Sequence, residues 1–276
     1  MSVGRYYDEM HEFTLRHAPF RDHSGFAHDT IHRALQDRAD GTFSPDTIYR
    51  LLAPHLPSGE AFRGLDAGCG YGGTCFRLLP VTGGTWHGVT VSAKQVEVAR
   101  ELAAARGLSG RVGFSLRSYD LPMDGRYDAI VAIESLAHSE DTSASVRNLA
   151  AHLRPGGVLA VVDDVPRDGL GATEAAWLRE FKRFWHLPVL PGRTAWGAIF
   201  AGAGLVAECD EDLTPLTRPR DAAMLEEAWA HHAAVLPARK AEGLGSVAAG
   251  ELGGIRLEQL TRAGAVSYRL MVARAP

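Results

Sequence analysis

The sequence predicts an α/β fold built on a doubly wound, mostly parallel, seven-stranded sheet, with a helical N-terminal region and a lid insertion. Three observations carry this expectation. Apolar strand-like runs alternate with helix-like stretches from about residue 62 onward, as a doubly wound sheet requires. The first of these runs ends in an acid followed by a glycine turn, Gly64-Leu65-Asp66-Ala67-Gly68-Cys69-Gly70-Tyr71-Gly72-Gly73-Thr74. A chain of 276 residues, 46% of them hydrophobic, can bury one good core, so a single domain with embellishments is expected.

Taken in order, the apolar end of Phe62-Arg63-Gly64-Leu65-Asp66 is the first strand, and Thr74 to Leu79 starts the first core helix. Thr85 to Val91 is the second strand. Ser92 caps the helix that follows, with Gln95 at the capping-box position, and that helix stops at Gly107. Arg111 to Leu116 is the third strand, running into Ser118-Tyr119-Asp120-Leu121-Pro122. Tyr127 to Ile133 is uninterrupted and apolar but for one acid, as a buried fourth strand should be. A helix from about Thr142 to Leu153 gives way at Arg154-Pro155-Gly156-Gly157 to a fifth strand, Val158 to Asp163. Val206 to Cys209 and Tyr268 to Val272 supply the last two strands. Two segments fall outside this core: a helical cap over residues 1–57, leaving 58–276 as the main domain, and a lid at about 165–196. The lid carries Trp177, Phe181, Phe184, Trp185 and Trp196 among Arg179, Lys182, Arg183 and Arg193. Ligands of open sheets sit over the carboxyl ends of the strands, so these segments are expected to wall an acceptor pocket; packing of the aromatics on the sheet is the alternative.

The glycine turn carries most of the functional signal. Gly68, Gly70 and Gly73 satisfy the G-x-G-x-x-G spacing of a dinucleotide site, in which a helix N-terminus receives a pyrophosphate. Two features argue against a dinucleotide. The carboxylate of Asp66 would repel a pyrophosphate but attract an ammonium. An acid about 20 residues further on should take the ribose hydroxyls, and the chain has Gly88-Val89-Thr90 there. An acid and a glycine turn without that second acid point to a nucleoside carrying positive charge, S-adenosylmethionine; a plain strand-to-helix turn is the bland alternative.

From about residue 60 to 165 the chain resembles the class I S-adenosylmethionine-dependent methyltransferases, whose sheet is Rossmann-like. Gly88-Val89-Thr90-Val91-Ser92-Ala93-Lys94-Gln95 is similar to the second-strand motif of cyclopropane fatty acid synthases and geranyl diphosphate C-methyltransferase, and Ile133-Glu134-Ser135-Leu136-Ala137-His138 to an element of sterol and tocopherol C-methyltransferases. The resemblance implies Asp66, Gly68 and Gly70 around the methionine moiety, Thr90 and Gln95 at the ribose, and Asp120 at the adenine amino group, with Tyr119 or Leu121 beside the ring. It implies Glu134 near the sulfonium and methylation at carbon of an apolar, unsaturated acceptor such as an isoprenoid or a prenylated natural product. An alkene methylated at carbon becomes a cation that must lose a proton; Glu134 is the candidate base, with His138 as a second base or its orienting partner. Tyr6 or Tyr7, in Arg5-Tyr6-Tyr7-Asp8, is expected over the methyl group, with Tyr7 the candidate site residue and hydrophobic packing the alternative. Oxygen or nitrogen methylation, using His138 alone, and cyclisation without methyl transfer are the competing readings.

Net charge is -4, with 29 basic and 33 acidic residues, which gives no electrostatic reason to expect nucleic acid. No apolar run is long enough to span a membrane and the polar start is unlike a secretory signal, so a cytoplasmic location is expected. Cys69, Cys75 and Cys209 are too few for a disulfide framework and are expected as reduced thiols. His87 is expected to be packed. His17, His23, His28 and His32 supply no evident three-ligand set, so no metal site is expected; magnesium enters only if the acceptor carries a diphosphate, which Arg33, Arg179, Arg183 or Arg193 could hold. The expected partner is a small-molecule methyl acceptor, and a homo-oligomer is allowed.

Overall fold

In the computed structural model, which describes residues 3–8 and 29–276, the seven expected strands form one sheet. Residues 3–8 are helical (α1). A two-residue hairpin follows (β1, Leu35–Gln36; β2, Phe43–Ser44), then α2 (Thr47–Leu52). The main domain alternates β3 (Arg63–Ala67), α3 (Gly73–Thr82), β4 (Thr85–Thr90), α4 (Ala93–Ala105), β5 (Val112–Leu116), β6 (Tyr127–Ile133), α5 (Thr142–Ala151) and β7 (Leu153–Pro166). It ends in α6 (Ala172–Phe184), α7 (Arg193–Gly202), β8 (Val206–Asp212), α8 (Ala222–Ala241), α9 (Gly245–Arg262) and β9 (Val266–Arg274). The strand order is β5-β4-β3-β6-β7-β9-β8, and only β9 runs against its neighbours.

Alternation along each strand divides the core between the two faces of the sheet. On β6, Ala129, Val131 and Ile133 join Trp86, Phe114 and Tyr268 on one face, while Ile130 and Ala132 join Leu65, Val89 and Leu159 on the other. Five central strands buried on both faces explain why their sequences read as apolar runs. Strand order reverses between β3 and β6, and the crevice over their carboxyl ends is where such sheets bind ligands.

Several expectations about elements need correction. Residues 29–46 are irregular apart from the hairpin, because Asp37, Asp40 and Gly41 close a tight turn: Asp37 donates to the Thr42 carbonyl at 2.7 Å, and Asp40 accepts from the Thr42 amide at 2.9 Å. Helix α5 stops at Ala151, and β7 begins at Leu153 rather than Val158. A register shift between Tyr127 and Ala129 absorbs the Pro155-Gly156-Gly157 turn into that strand. Helices α8 and α9 lack an evident sequence signal; α8 is alanine-rich and buries only Leu225. His17, His23 and His28 lie outside the described residues. The expected cap over Ser92 is present, with the Gln95 amide donating to its hydroxyl at 3.2 Å.

Trp86 illustrates how tightly the sheet packs. It is 2% exposed, its indole N–H donates to Thr82 Oγ1 at 2.9 Å, and a Cβ on Gly64 would lie 2.5 Å from its ring. Trp86→Ala should therefore destabilise the fold by about 3–5 kcal/mol through the cavity it leaves, read as a lowered urea midpoint at unchanged m-value.

Candidate active site

The glycine turn after β3 is held open by its own backbone. The amides of Gly68 and Cys69 both donate to the Val89 carbonyl at 2.9 Å, which folds the turn back against β4. Gly68 sits at φ +90°, where an added Cβ would lie 2.4 Å from that of Ser135. The turn and the ends of β3, β4, β6 and β7 surround a cavity of about 500 Å³. Asp29, Thr30, Ile31, His32 and Tyr49 close one side, and the Gly73 amide donates to the Asp29 carbonyl at 2.9 Å. Helix α1 covers another side: Gly4 packs against the Val91 carbonyl, and Ser92 donates to Asp8 at 2.5 Å.

Most of the residues singled out in the sequence meet here. Tyr7, Asp66, Gly68, Gly70, Thr90, Gln95, Tyr119, Asp120, Glu134 and His138 all line the cavity. Leu121 does not; its side chain points to solvent and is 56% exposed. Thr90 donates to Gln95 at 2.6 Å, so these two buried neutral groups form a unit. Asp120 stands at the rim, where Ser118 and Ser145 donate to it. Of the lid aromatics, only Phe181 and Trp185 line the cavity, with Leu187 and Leu190. Trp196 packs beneath the sheet against Phe200, and Phe184 lies against Trp229. None of Arg179, Lys182, Arg183 and Arg193 lines it.

Two clusters go beyond the sequence reading, in which Arg33 is named only as a candidate diphosphate partner and Asp163 only as the end of a strand. Arg33 reaches into the site from the chain before β1. Its Nε donates to Glu134 Oε1 at 2.9 Å, one Nη to Asp164 Oδ2 at 2.5 Å, and its guanidinium stacks 4.0 Å from the centre of the Tyr268 ring. Nothing in its local sequence marks this pairing. The second is the pair Asp163 and Asp164 near the carboxyl end of β7, both buried and lining the cavity. An acid closing an apolar run is the same signal that marked Asp66, and it could have found them.

The electrostatics separate the acids from one another. Burial pushes Asp66 up to about 7, relieved only by a hydrogen bond from Thr74, and no basic side chain among the described residues offsets it. Burial also opposes ionisation of Glu134, but Arg33, with His32 and Tyr268, more than compensates and holds it below the ordinary carboxylate range. Glu134 adopts φ +49°, a left-handed conformation that costs a non-glycine residue energy and is sustained by these contacts. His138 is buried and driven down to about 4, so its imidazole is neutral at physiological pH. The Tyr7 hydroxyl lies 2.8 Å from its Nε2, and Nδ1 has no hydrogen-bond partner among the described residues.

Residues 65–159 match the methyltransferase domain family. The chain is 33% identical over 225 residues to methyltransferase GfsG of Streptomyces halstedii, covering 81% of this chain and 79% of that protein. It is 32% identical over 197 residues to 27-O-demethylrifamycin SV methyltransferase of Amycolatopsis mediterranei strain S699, covering 69% of this chain and 72% of the relative. The crystal structure of the [4+2]-cyclase SpnF is similar over 99% of this chain and 95% of its own, with a TM-score of 0.74 and 27% identity. The chain belongs to the class I S-adenosylmethionine-dependent methyltransferases.

The cavity fits that cofactor on its own evidence. A buried carboxylate without a cation, beside a turn in which side chains have no room, is suited to an ammonium, and Thr90 with Gln95 offers neutral partners for hydroxyls. Asp66, Gly68 and Gly70 would hold the methionine end, Thr90 and Gln95 the ribose, and Asp120 with Tyr119 the adenine. Among the described residues no three His, Cys, Asp or Glu side chains gather as metal ligands, and Arg33 is engaged by two carboxylates. Also among the described residues, no helix is long and apolar enough to cross a membrane.

Because an ammonium needs Asp66 ionised, protonation competes with binding. Calorimetry with S-adenosylhomocysteine should show affinity falling by about tenfold per pH unit below about 7 and levelling off above it. Asp66→Asn should bind weakly and flatten the profile; an unchanged profile in the variant would remove Asp66 from the site.

Proposed function

We propose that the protein transfers a methyl group from S-adenosylmethionine to a hydroxyl oxygen of a largely apolar natural product, with His138 as the base. The observation that carries this reading is the contrast between two candidate bases. Glu134 is ion-paired to Arg33 and would have to leave that partner to collect a proton. His138 is neutral, buried beside the cavity, and can present an unprotonated nitrogen. Bound in the cavity, S-adenosylmethionine supplies a methyl carbon made electrophilic by its sulfonium. His138 takes the hydroxyl proton as the acceptor oxygen is methylated. The Tyr7 hydroxyl fixes the imidazole from Nε2, and Phe181, Trp185, Leu187 and Leu190 exclude water around the apolar body of the acceptor. Much of the acceleration comes from orientation, which can supply on the order of 7–11 kcal/mol in well-aligned systems. The relative named for the 27-oxygen of a rifamycin supports both the atom and the class of acceptor.

Carbon methylation of an unsaturated or prenylated acceptor, the reading the sequence favours, is second. Tyr7, Phe181 and Trp185 offer aromatic faces to a cation, but Glu134 would have to leave Arg33 to collect the proton. Cyclisation, the activity named for SpnF, is the third reading, supported by the 27% identity to that protein.

Incubation with labelled S-adenosylmethionine and a panel of hydroxylated macrolactones, hydroxynaphthalenes and prenyl diphosphates separates the three. Label on oxygen supports the proposal, label on carbon the second reading, and conversion without label the third. His138→Gln should lower turnover by about 100- to 10,000-fold while S-adenosylhomocysteine still binds. Glu134→Gln should lower it less. With His138 neutral down to about 4, its own titration should leave kcat level between pH 8 and pH 6; a histidine-like fall in that interval, or a harmless His138→Gln, would count against this base.

A further inference from the structure

In the strand order β5-β4-β3-β6 the connection from β5 to β6, residues 117–126, has to pass over β4 and β3, and no helix forms along it. Crossovers between parallel strands usually carry a helix that covers the sheet. Here a second cavity, of about 360 Å³, opens on that face instead.

Alternation along the strands decides what lines it. Arg63 of β3, Thr85 and His87 of β4 and Ser115 of β5 project to the same face as Leu65 and Val89, and Arg111 and Arg117, which flank β5, line the cavity with them. Arg63 pairs with Thr85, and Trp86 with Val112, so Arg63, Thr85 and Arg111 stand in one row across three neighbouring chain segments. His87 in the middle is hydrogen-bonded to Ser115 at 2.9 Å. Gly113 opposite it keeps the floor open, because a Cβ there would lie 3.1 Å from the imidazole.

The lining holds three guanidiniums and one carboxylate, that of Asp124. Asp124 is 99% exposed and lies 3.6 Å from Arg117. Neither Arg63 nor Arg111 is paired with a carboxylate among the described residues: Arg63 lies 5.6 Å from the centre of the Tyr127 ring, and Arg111 donates Nε to the Gly84 carbonyl at 3.0 Å. Arg117 donates to the Pro122 carbonyl, while its Nε is buried with no hydrogen-bond partner among the described residues. Buried donors are nearly always satisfied, and one on a residue that lines a polar cavity is placed for an acceptor on a ligand.

We propose that this cavity binds the phosphate group of a small molecule, held by Arg63, Arg111 and Arg117. The excess of positive charge selects an anion, and the fork of a guanidinium matches phosphate oxygens two at a time. A carboxylate would bring one charge and two oxygens to three guanidiniums; a phosphate brings more of both. Met123 and Tyr127 offer an apolar wall to whatever carries the phosphate. The site does not depend on which atom the protein methylates.

The test is calorimetry at about pH 8, where a phosphate monoester is dianionic, with S-adenosylhomocysteine saturating the cofactor cavity. Phenyl phosphate should bind, and phenol should bind at least about tenfold more weakly. Arg63→Gln and Arg111→Gln, neither of which lines the cofactor cavity, should each weaken phenyl phosphate by about tenfold or more and leave S-adenosylhomocysteine affinity at the wild-type value. That retained affinity shows each variant to be folded; if one is not, the other variant and the phenol comparison decide. Inorganic phosphate is the second probe: weaker binding than phenyl phosphate assigns an ester whose organic part meets Met123 and Tyr127, equal binding assigns the free ion, and both support the site. No saturable binding of either phosphate by the wild type, or unchanged affinity in the folded variants, overturns the proposal.

Discussion

Four carboxylates, those of Asp66, Glu134, Asp163 and Asp164, are gathered at the carboxyl ends of the central strands with one guanidinium, that of Arg33, to balance them. This imbalance organises the rest of the site. Charges taken out of water without partners are costly, and the protein meets the cost in three different ways. Glu134 and Asp164 share Arg33. Burial, with Asp164 and Glu134 nearby, pushes Asp163 toward its protonated form. Asp66 is left with the hydroxyl of Thr74 and the thiol of Cys75, and burial displaces it from 3.8 to about 7, a cost that a ligand cation would offset on binding. An environment that separates neighbouring carboxyl groups in this way assigns them separate tasks.

The same imbalance explains why the N-terminal chain closes the cavity. Arg33 is carried there by the segment that also lends the Asp29 carbonyl to Gly73, and Asp29 itself is tied to the body of the domain by Arg77 and Arg106, at 2.7 and 2.6 Å. The segment bearing Arg33 thereby completes a binding site whose central acids stand at the carboxyl ends of β3, β6 and β7. Loss of Arg33 would expose two buried carboxylates to each other, which is the arrangement most costly to a buried ion pair.

The lid is built differently from a free flap. Trp185 faces the cavity, but its indole N–H donates to the Gly250 carbonyl at 2.8 Å, and α9 has glycine at 253 where a Cβ would lie 2.1 Å from that ring. Arg256 of the same helix stacks 3.3 Å from the centre of Trp229 and is paired with Glu180 of the lid helix at 2.6 Å. Helices α8 and α9 thus brace α6 from behind, so the acceptor wall is a packed surface rather than a loop that orders only around its ligand.

The order of strands, their two-faced burial and the cofactor turn were legible because each depends on short-range pattern: apolar runs, glycine where the chain must turn sharply, an acid where a run stops. Asp66, Thr90, Gln95, Asp120, Glu134 and His138 were legible through the motifs that carry the family resemblance, and Tyr7 through the Tyr6-Tyr7-Asp8 start; all seven line the cavity. Asp163 and Asp164 carried that signal too, at the end of the fifth apolar run. The partner of Glu134 was not legible: Arg33 is 101 residues away in sequence, in a segment with no periodicity, and only the fold brings its guanidinium between two acids. That contact turns Glu134 from an apparent base into half of an ion pair and leaves His138 as the neutral group beside the cavity. Sequence by itself determined the seven strands and the glycine turn after the first of them, because those follow from local backbone requirements. Tertiary structure decided the protonation of each acid and hence the chemistry, because charge in a buried site depends on neighbours that no local pattern records.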